Sequence, residues 1–249
     1  MHVYPVSGIP LVAPGDDLAA MLIAALERCA LDLEDGDILV VTGKIAAKAE
    51  DRCVDLDEVQ PSSRAVALAR AIDRDPPLVE VILSQSEEVL RYRRGVLIVI
   101  HKLGFVMANA GVDASNIGAG GRQVLLLPED PDRTCANLRK SLEASFAARI
   151  GVVMTDSVGR PWRNGVVGLA IGTAGVPALR SLVGRPDLYG RPLEVTEVAF
   201  ADGVATAASL VMGEADEGLP AVIVRGLEWS PTDTGARALI RPKELDLFR

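Results

Sequence analysis

Three short stretches of the sequence place acidic side chains next to small polar ones, in settings where hard oxygen ligands could gather. "ANAGVDASNIG" follows an apolar run and carries Asp113 with Ser115 and Asn116; "TDS" ends a second apolar run with Asp156 and Ser157; "GEADEG" offers Glu214, Asp216 and Glu217. Carboxylates beside hydroxyl or amide oxygens suit Mg²⁺ or Mn²⁺, and loops that leave buried elements are where sites are commonly assembled. Each acid serves equally well as a helix cap or a turn brace, so the pattern alone suggests a metal site without deciding it.

Basic residues add a second theme. Arg160 and Arg163 flank Trp162 in "TDSVGRPWRNG", a pairing that fits phosphate or carboxylate recognition or, equally, a solvated turn. Lys44 and Lys48 in "TGKIAAK" are one helical turn apart, as on a phosphate-facing or merely solvated helix. The stretch is not a P-loop, because Ile38 stands where that motif needs glycine and Ile45 follows Lys44 where it needs Ser or Thr. His2 and His101 are too few for a zinc site, and no Gly-x-Ser-x-Gly elbow is present.

The elements that must position these residues follow from periodicity and punctuation. Asp16 and Asp17 open a helix carrying Leu18, Met21, Leu22, Ala25 and Leu26 at helical spacing. A strand is expected at 38–42, then a glycine turn at Gly43 and a helix from Lys44, an order that favours anion binding at the helix N-terminus. Ser62 or Ser63 caps a further helix that stops before Pro76 and Pro77. "LVEVILS", "VLIVI" and "FVMANAGV" read as strands, with "HKLG" as a turn. Asp130 and Pro131 open a helix whose apolar face carries Leu138, Leu142, Phe146 and Ile150; "IGVVMTDS" returns as a buried strand. After "GVVGLAIGTAG" and the turn-rich "GRPDLYGRP", "EVTEVAFADGVATAASLVMGE" reads as a helix and "AVIVRGL" as a strand. Strands and helices without strict alternation imply an α+β fold, or α/β with an insertion.

The 249 residues suffice for one large domain or two modest ones, and 49% hydrophobic with 24% charged residues is an ordinary globular balance. A net charge of −8 supplies no field that draws in nucleic acid or anionic lipid. Cys29, Cys53 and Cys135 fit neither a disulfide framework nor a metal knuckle, and are read as free thiols in a reducing cytoplasm. No apolar run approaches the roughly 20 residues of a membrane span, and no signal peptide is evident.

Five segments, "SGIPLVAPGDDL", "VVTGKIAAKAE", "NAGVDASN", "TDSVGRPWRNG" and "ADGVATAASLVMGEADEG", resemble those of the F420 γ-glutamyl ligase family in order and approximate spacing, from about Val6 to Trp229. The resemblance implies a GTP-dependent ligase that adds L-glutamate to the lactyl carboxylate of coenzyme F420-0 and extends the tail by γ-linkage, releasing GDP and phosphate. It also implies two Mg²⁺ or Mn²⁺ sites, a K⁺ requirement, and an intertwined homodimer of two-domain α+β subunits with mixed sheets. Residues 1–85 and 193–249 would form a discontinuous domain with the nucleotide contacts, and 86–192 an inserted domain with the metal-binding aspartates.

Carried onto this chain, the resemblance makes Asp113 and Asp156 ligands of one metal ion and Ser157 with Glu214 ligands of a second. Nucleotide contacts fall on Ile9, Pro10, Leu11 and Val12, on Gly43, Lys48 and Asn116, and on Met212, Gly213, Glu214, Ala215, Asp216, Glu217, Gly218 and Leu219. Lys48 is expected to stand with Asp113 and Asp156 in catalysis. Charge complementarity assigns Arg160 and Arg163 to the acidic substrate. Two positions depart from the family pattern: Gly43 replaces a common serine, and Glu214 stands where archaeal members often carry Gln. A nitroreductase-like extension is not expected here. The alternatives are a γ-glutamyl ligase acting on a folate or pterin, and a nucleotide- or metal-binding module without turnover.

Overall fold

A computed structural model describes residues 1–115, 122–232 and 234–247. Its elements in the first half are β1 (His2–Pro5), α1 (Leu18–Arg28), β2 (Ile38–Thr42), α2 (Gly43–Ala49), β3 (Cys53–Asp55), α3 (Ser63–Ile72), α4 (Pro76–Ser84), β4 (Ser86–Arg93), β5 (Val96–His101) and β6 (Val106–Ala108). They continue with β7 (Gln123–Leu125), α5 (Pro131–Phe146), β8 (Gly151–Gly159), β9 (Val166–Ala174), β10 (Leu179–Ser181), β11 (Glu197–Ala199), α6 (Phe200–Met212) and β12 (Ala221–Arg225). The fold is mixed α/β with several separate sheets.

The largest sheet runs β1-β12-β2-β8-β9, with β2 and β8 parallel and the other pairs antiparallel. It draws strands from both 1–85 with 193–249 and 86–192. Its central strands are continuous apolar runs because both faces are covered. Leu39, Val41, Val152 and Met154 point towards α1 and α5, joining Leu22, Leu26, Leu138 and Leu142 in one core. Ile38, Val40, Val153 and Val222 point the other way, onto Val204, Ala205 and Ala208 of α6. Beside this, α3 and α4 pack on the sheet β4-β5-β6 through Ile72, Val79, Ile82, Leu97 and Val99.

Helix caps follow the sequence closely. Asp17, Ser62 and Asp130 each accept a backbone N–H from the first turn of α1, α3 and α5. Gly43 begins α2 and forms no turn, while Thr42 supplies the cap. α5 ends at Phe146, with Ala147 left-handed at φ 54°, so Ile150 lies beyond the helix and is buried just before β8.

Four expectations need correction. "FVMANAGV" is strand only over Val106–Ala108, because Asn109 and Ala110 adopt left-handed φ of 50° and 54° and turn the chain at Asn109–Gly111. "LVEVILS" belongs to helix α4, because Pro76 and Pro77 occupy its first turn and Val79 and Ile82 bury one helical face; periodicity cannot separate strand from helix in so short an apolar run. The helix expected from Glu194 begins only at Phe200, since Glu197–Ala199 pairs as β11 with β10. "GVVGLAIGTAG" is largely strand β9, although glycine weakens strands. A Cβ at Gly168 would lie 2.6 Å from the Ala205 carbonyl oxygen, and one at Gly172 2.6 Å from the Pro131 backbone, so these glycines admit helices against both faces.

Candidate active site

Strands β2 and β8 pair in parallel as far as Thr42 and Thr155; there β2 gives way to Gly43–Lys44 of α2, while β8 runs on through Asp156 and Ser157 to Gly159, so these residues lie side by side where the parallel pairing stops. Such strand ends are the usual place for a ligand in an open sheet. They open onto a cavity of about 700 Å³ lined by five chain segments. Ile9, Pro10, Leu11 and Val12 form one wall, Lys44, Ile45 and Lys48 of α2 another, and Asp113 and Ser115 a third. Thr155, Asp156 and Ser157 form the floor, and the run Met212–Pro220, with Ser209 on α6, closes the far side.

Of the residues expected in the site, Gly43 is buried behind this lining, where a Cβ would meet the Ile171 Cδ1 at 2.9 Å. Arg160 and Arg163 do not line the cavity; the Arg160 guanidinium donates to the Gly165 carbonyl at 3.1 Å, within its own turn. Asn116 lies outside the described residues. Thr155 and Ser209, which no sequence motif singles out, also line the cavity; the place of Ser209 on α6, one turn before Met212, is the signal available for it.

Asp113 is fixed by its backbone, which exchanges two hydrogen bonds with Leu125 at 3.0 and 2.8 Å. Its side chain braces a turn and faces the cavity at once. Oδ1 accepts the Ser115 N–H at 2.7 Å, and Oδ2 accepts the Ser115 hydroxyl at 3.0 Å and lies 2.7 Å from the Lys44 Nζ. Burial alone would raise the Asp113 pKa, but these hydrogen bonds outweigh it and hold the carboxyl below its usual range.

Asp156 shows the opposite balance. Desolvation pushes its carboxyl up to about 6; the Ser157 N–H lowers it, Asp113 and Glu214 raise it and Lys44 lowers it. The Ser157 hydroxyl lies 2.8 and 2.6 Å from the two Glu214 oxygens, tying β8 to the segment after α6. That segment leaves a helix C-terminus, where the backbone dipole favours cations.

Among the described residues, no group of three or more His, Cys, Asp or Glu side chains forms a ready cation cage. The donor set nevertheless fits a hard divalent ion. Mutually repelling carboxylates with a serine hydroxyl supply oxygen ligands, and Mg²⁺ usually takes only one or two carboxylates and completes its shell with water and phosphate oxygens.

The family model for F420-0:gamma-glutamyl ligase matches residues 8–226. The chain belongs to the F420-0:gamma-glutamyl ligase family. Curated relatives named coenzyme F420:L-glutamate ligase include that of Methanothermobacter thermautotrophicus, 45% identical over 98% of this chain and 97% of the relative. Those of Methanopyrus kandleri and Archaeoglobus fulgidus are 46% and 43% identical over 100% of this chain, covering 98% and 96% of their own lengths. The match spans all five cavity segments, so the whole lining lies within the part of the chain that defines the family. Among the described residues, no helix is long and apolar enough to cross a membrane.

Proposed function

We propose that this chain is a GTP-dependent ligase that joins L-glutamate to the lactyl carboxylate of coenzyme F420-0 and extends a γ-linked glutamate tail. The observation that carries this reading is the convergence of Asp113, Asp156 and Glu214, from three distant segments, on one cavity of nucleotide size. The relatives named as coenzyme F420:L-glutamate ligases support the choice of acceptor.

A carboxylate does not accept an amine at neutral pH, so the acceptor must first be activated. In this reading its oxygen attacks the γ-phosphorus of GTP, GDP departs, and an acyl phosphate forms. The glutamate amine then attacks the acyl carbon, phosphate leaves, and the nitrogen loses a proton as the amide forms. Phosphoryl transfer asks the protein mainly for positioning and charge neutralisation. Ile9 to Val12 and Met212 to Leu219 would hold the nucleotide from two sides, with Lys48 facing its phosphates. Asp113 with Asp156, and Ser157 with Glu214, would hold two Mg²⁺ or Mn²⁺ ions; divalent cations supply Lewis acidity and neutralise phosphate charge. A K⁺ ion is assigned a supporting role. Asn116 remains an expected nucleotide contact. Arg160 and Arg163 would have to meet the acidic substrate outside the cavity lining.

The same reading makes the protein a cytoplasmic homodimer. The dimer is supported by the connection between β10 and β11, which exposes Val183, Leu188, Tyr189 and Val195 where a second copy could cover them.

Incubation with GTP, Mn²⁺, K⁺, L-glutamate and F420-0, read by mass spectrometry, tests the function. The expected product is F420-0 heavier by one or more glutamyl residues, with stoichiometric GDP. A mass gain on a folate or pterin but none on F420-0 would replace the acceptor, and GDP release indifferent to acceptor and glutamate would replace the enzyme by a binding module.

A further inference from the structure

The family resemblance gives Lys44 no part in the site, yet it lines the cavity and its ammonium contacts Asp113. Lys44 is the second residue of α2, placed there by the Thr42 cap. Its Nζ lies 2.7 Å from Asp113 Oδ2 and donates to the Ser115 hydroxyl at 2.9 Å. Ser115 in turn engages both Asp113 oxygens, so lysine, serine and aspartate form one closed set of contacts. The Lys44 charge also acts on Asp156, opposing the repulsion that Asp113 and Glu214 exert on it. A positive charge thus stands among the carboxylates that the metal reading gives to a divalent ion.

Both partners of this ion pair are about one-third exposed, at 29% for Lys44 and 37% for Asp113, and pairs of that exposure are weak. The four-carbon lysine stem is flexible and its ammonium is a point charge that can re-form contacts elsewhere. A divalent ion bound at Asp113 Oδ2 would meet the ammonium at close range, and one of the two must leave.

We propose that Lys44 is a placeholder cation: in the metal-free protein its ammonium holds Asp113 and Ser115 in place, and a divalent ion displaces it from Asp113 Oδ2. Lys44 is on this view a positioning residue that arranges the site before loading and opposes loading by its charge. The inference rests on the assignment of Asp113 to a divalent ion.

Mn²⁺ binding to the nucleotide-free protein, measured from the free-ion electron paramagnetic resonance signal, tests it. Lys44→Met keeps the stem and removes the charge, and is expected to bind Mn²⁺ about tenfold more tightly, since a unit charge a few ångströms from a divalent ion opposes it by that order. Equal or weaker binding by Lys44→Met overturns the placeholder role, because a lysine that only braces Asp113 would weaken the site when lost. The wild-type protein supplies a second measurement if the variant folds poorly. Acetylation of Lys44 by acetic anhydride, read by peptide mass spectrometry, should rise several-fold when Mg²⁺ is added; an unchanged or lower yield refutes displacement. Asp113→Asn separates the two layers of the inference: if it binds Mn²⁺ as wild type does, the metal assignment fails and the role of Lys44 falls with it.

Discussion

The hydroxyl of Ser157 lies within hydrogen-bonding distance of both carboxylate oxygens of Glu214, 57 residues further along the chain, and so fastens the end of β8 to the segment that leaves α6. Glu214 has little else to orient it in an exposed loop. Ser157→Ala removes a proposed ligand together with the group that orients Glu214, and is expected to lower divalent-ion affinity by at least the roughly 10–100-fold that losing an orienting partner alone costs. Stability should fall by only about 1 kcal/mol. Mn²⁺ titration beside thermal denaturation separates the two effects; a large loss of stability with unchanged Mn²⁺ affinity would make the contact purely structural.

Asp113→Asn should abolish metal-dependent turnover while leaving the fold largely intact, because the backbone pairing with Leu125 does not involve the side chain. Circular dichroism and the rate of GDP release at limiting Mn²⁺ check the two halves of this statement. Unchanged turnover would exclude a ligand role for Asp113.

Arg225 on β12 donates from Nε to Asp37 Oδ1 at 2.8 Å and from Nη2 to Oδ2 at 2.7 Å, and Asp37 is only 1% exposed. Arg225→Ala would leave a buried carboxylate without its cation, a loss of about 3 kcal/mol or more. Urea denaturation of Arg225→Ala and of the double variant Arg225→Ala/Asp37→Ala provides the comparison. The double variant should recover part of the loss.

His101 lies buried at the end of β5, where Nδ1 accepts the Leu103 N–H at 2.9 Å and Nε2 has no hydrogen-bond partner. Burial, with the nearby Arg52 and Lys102 charges, pushes its pKa down from 6.5 to about 4. The unfolded chain therefore binds a proton that the folded protein refuses between these values. The associated stability is complete above about pH 6.5 and disappears progressively as pH falls to about 4, by about 3 kcal/mol. Denaturant unfolding at pH 7 and pH 4.5 should show this slope, and His101→Gln should lack it.

How far the sequence reached depends on what each residue has to answer to. Asp17, Ser62, Asp130 and Pro131 act within one helical turn, so local chemistry declares them. The run at Leu78–Ser84 does not declare itself, because apolar β-branched residues suit a buried helix and a buried strand alike until Pro76 and Pro77 are weighed as openers. Strand β9 stayed hidden because its glycines answer to Pro131 and Ala205, which are distant in sequence. In the site, Asp113, Asp156 and Glu214 stood out as acids at the ends of elements. The Lys44–Asp113 pair did not, since 69 positions separate its members and the tertiary fold brings them together. Arg160 and Arg163 looked suited to a ligand by charge, but orientation is a property of the turn that holds them.

The strand order of the main sheet also bears on how the protein is made. Among the described residues β1 pairs only with β12, and β2 lies between β12 and β8, so the earliest strand of this sheet to be synthesised waits for the latest. At about 5–20 residues per second that interval is roughly 10–45 s of synthesis. Throughout it the apolar residues of β2 have no sheet partner on one side until β12 arrives and on the other until β8 does. A nascent chain of this topology has a long period of exposure to chaperones, and its main sheet is incomplete until β12 is added.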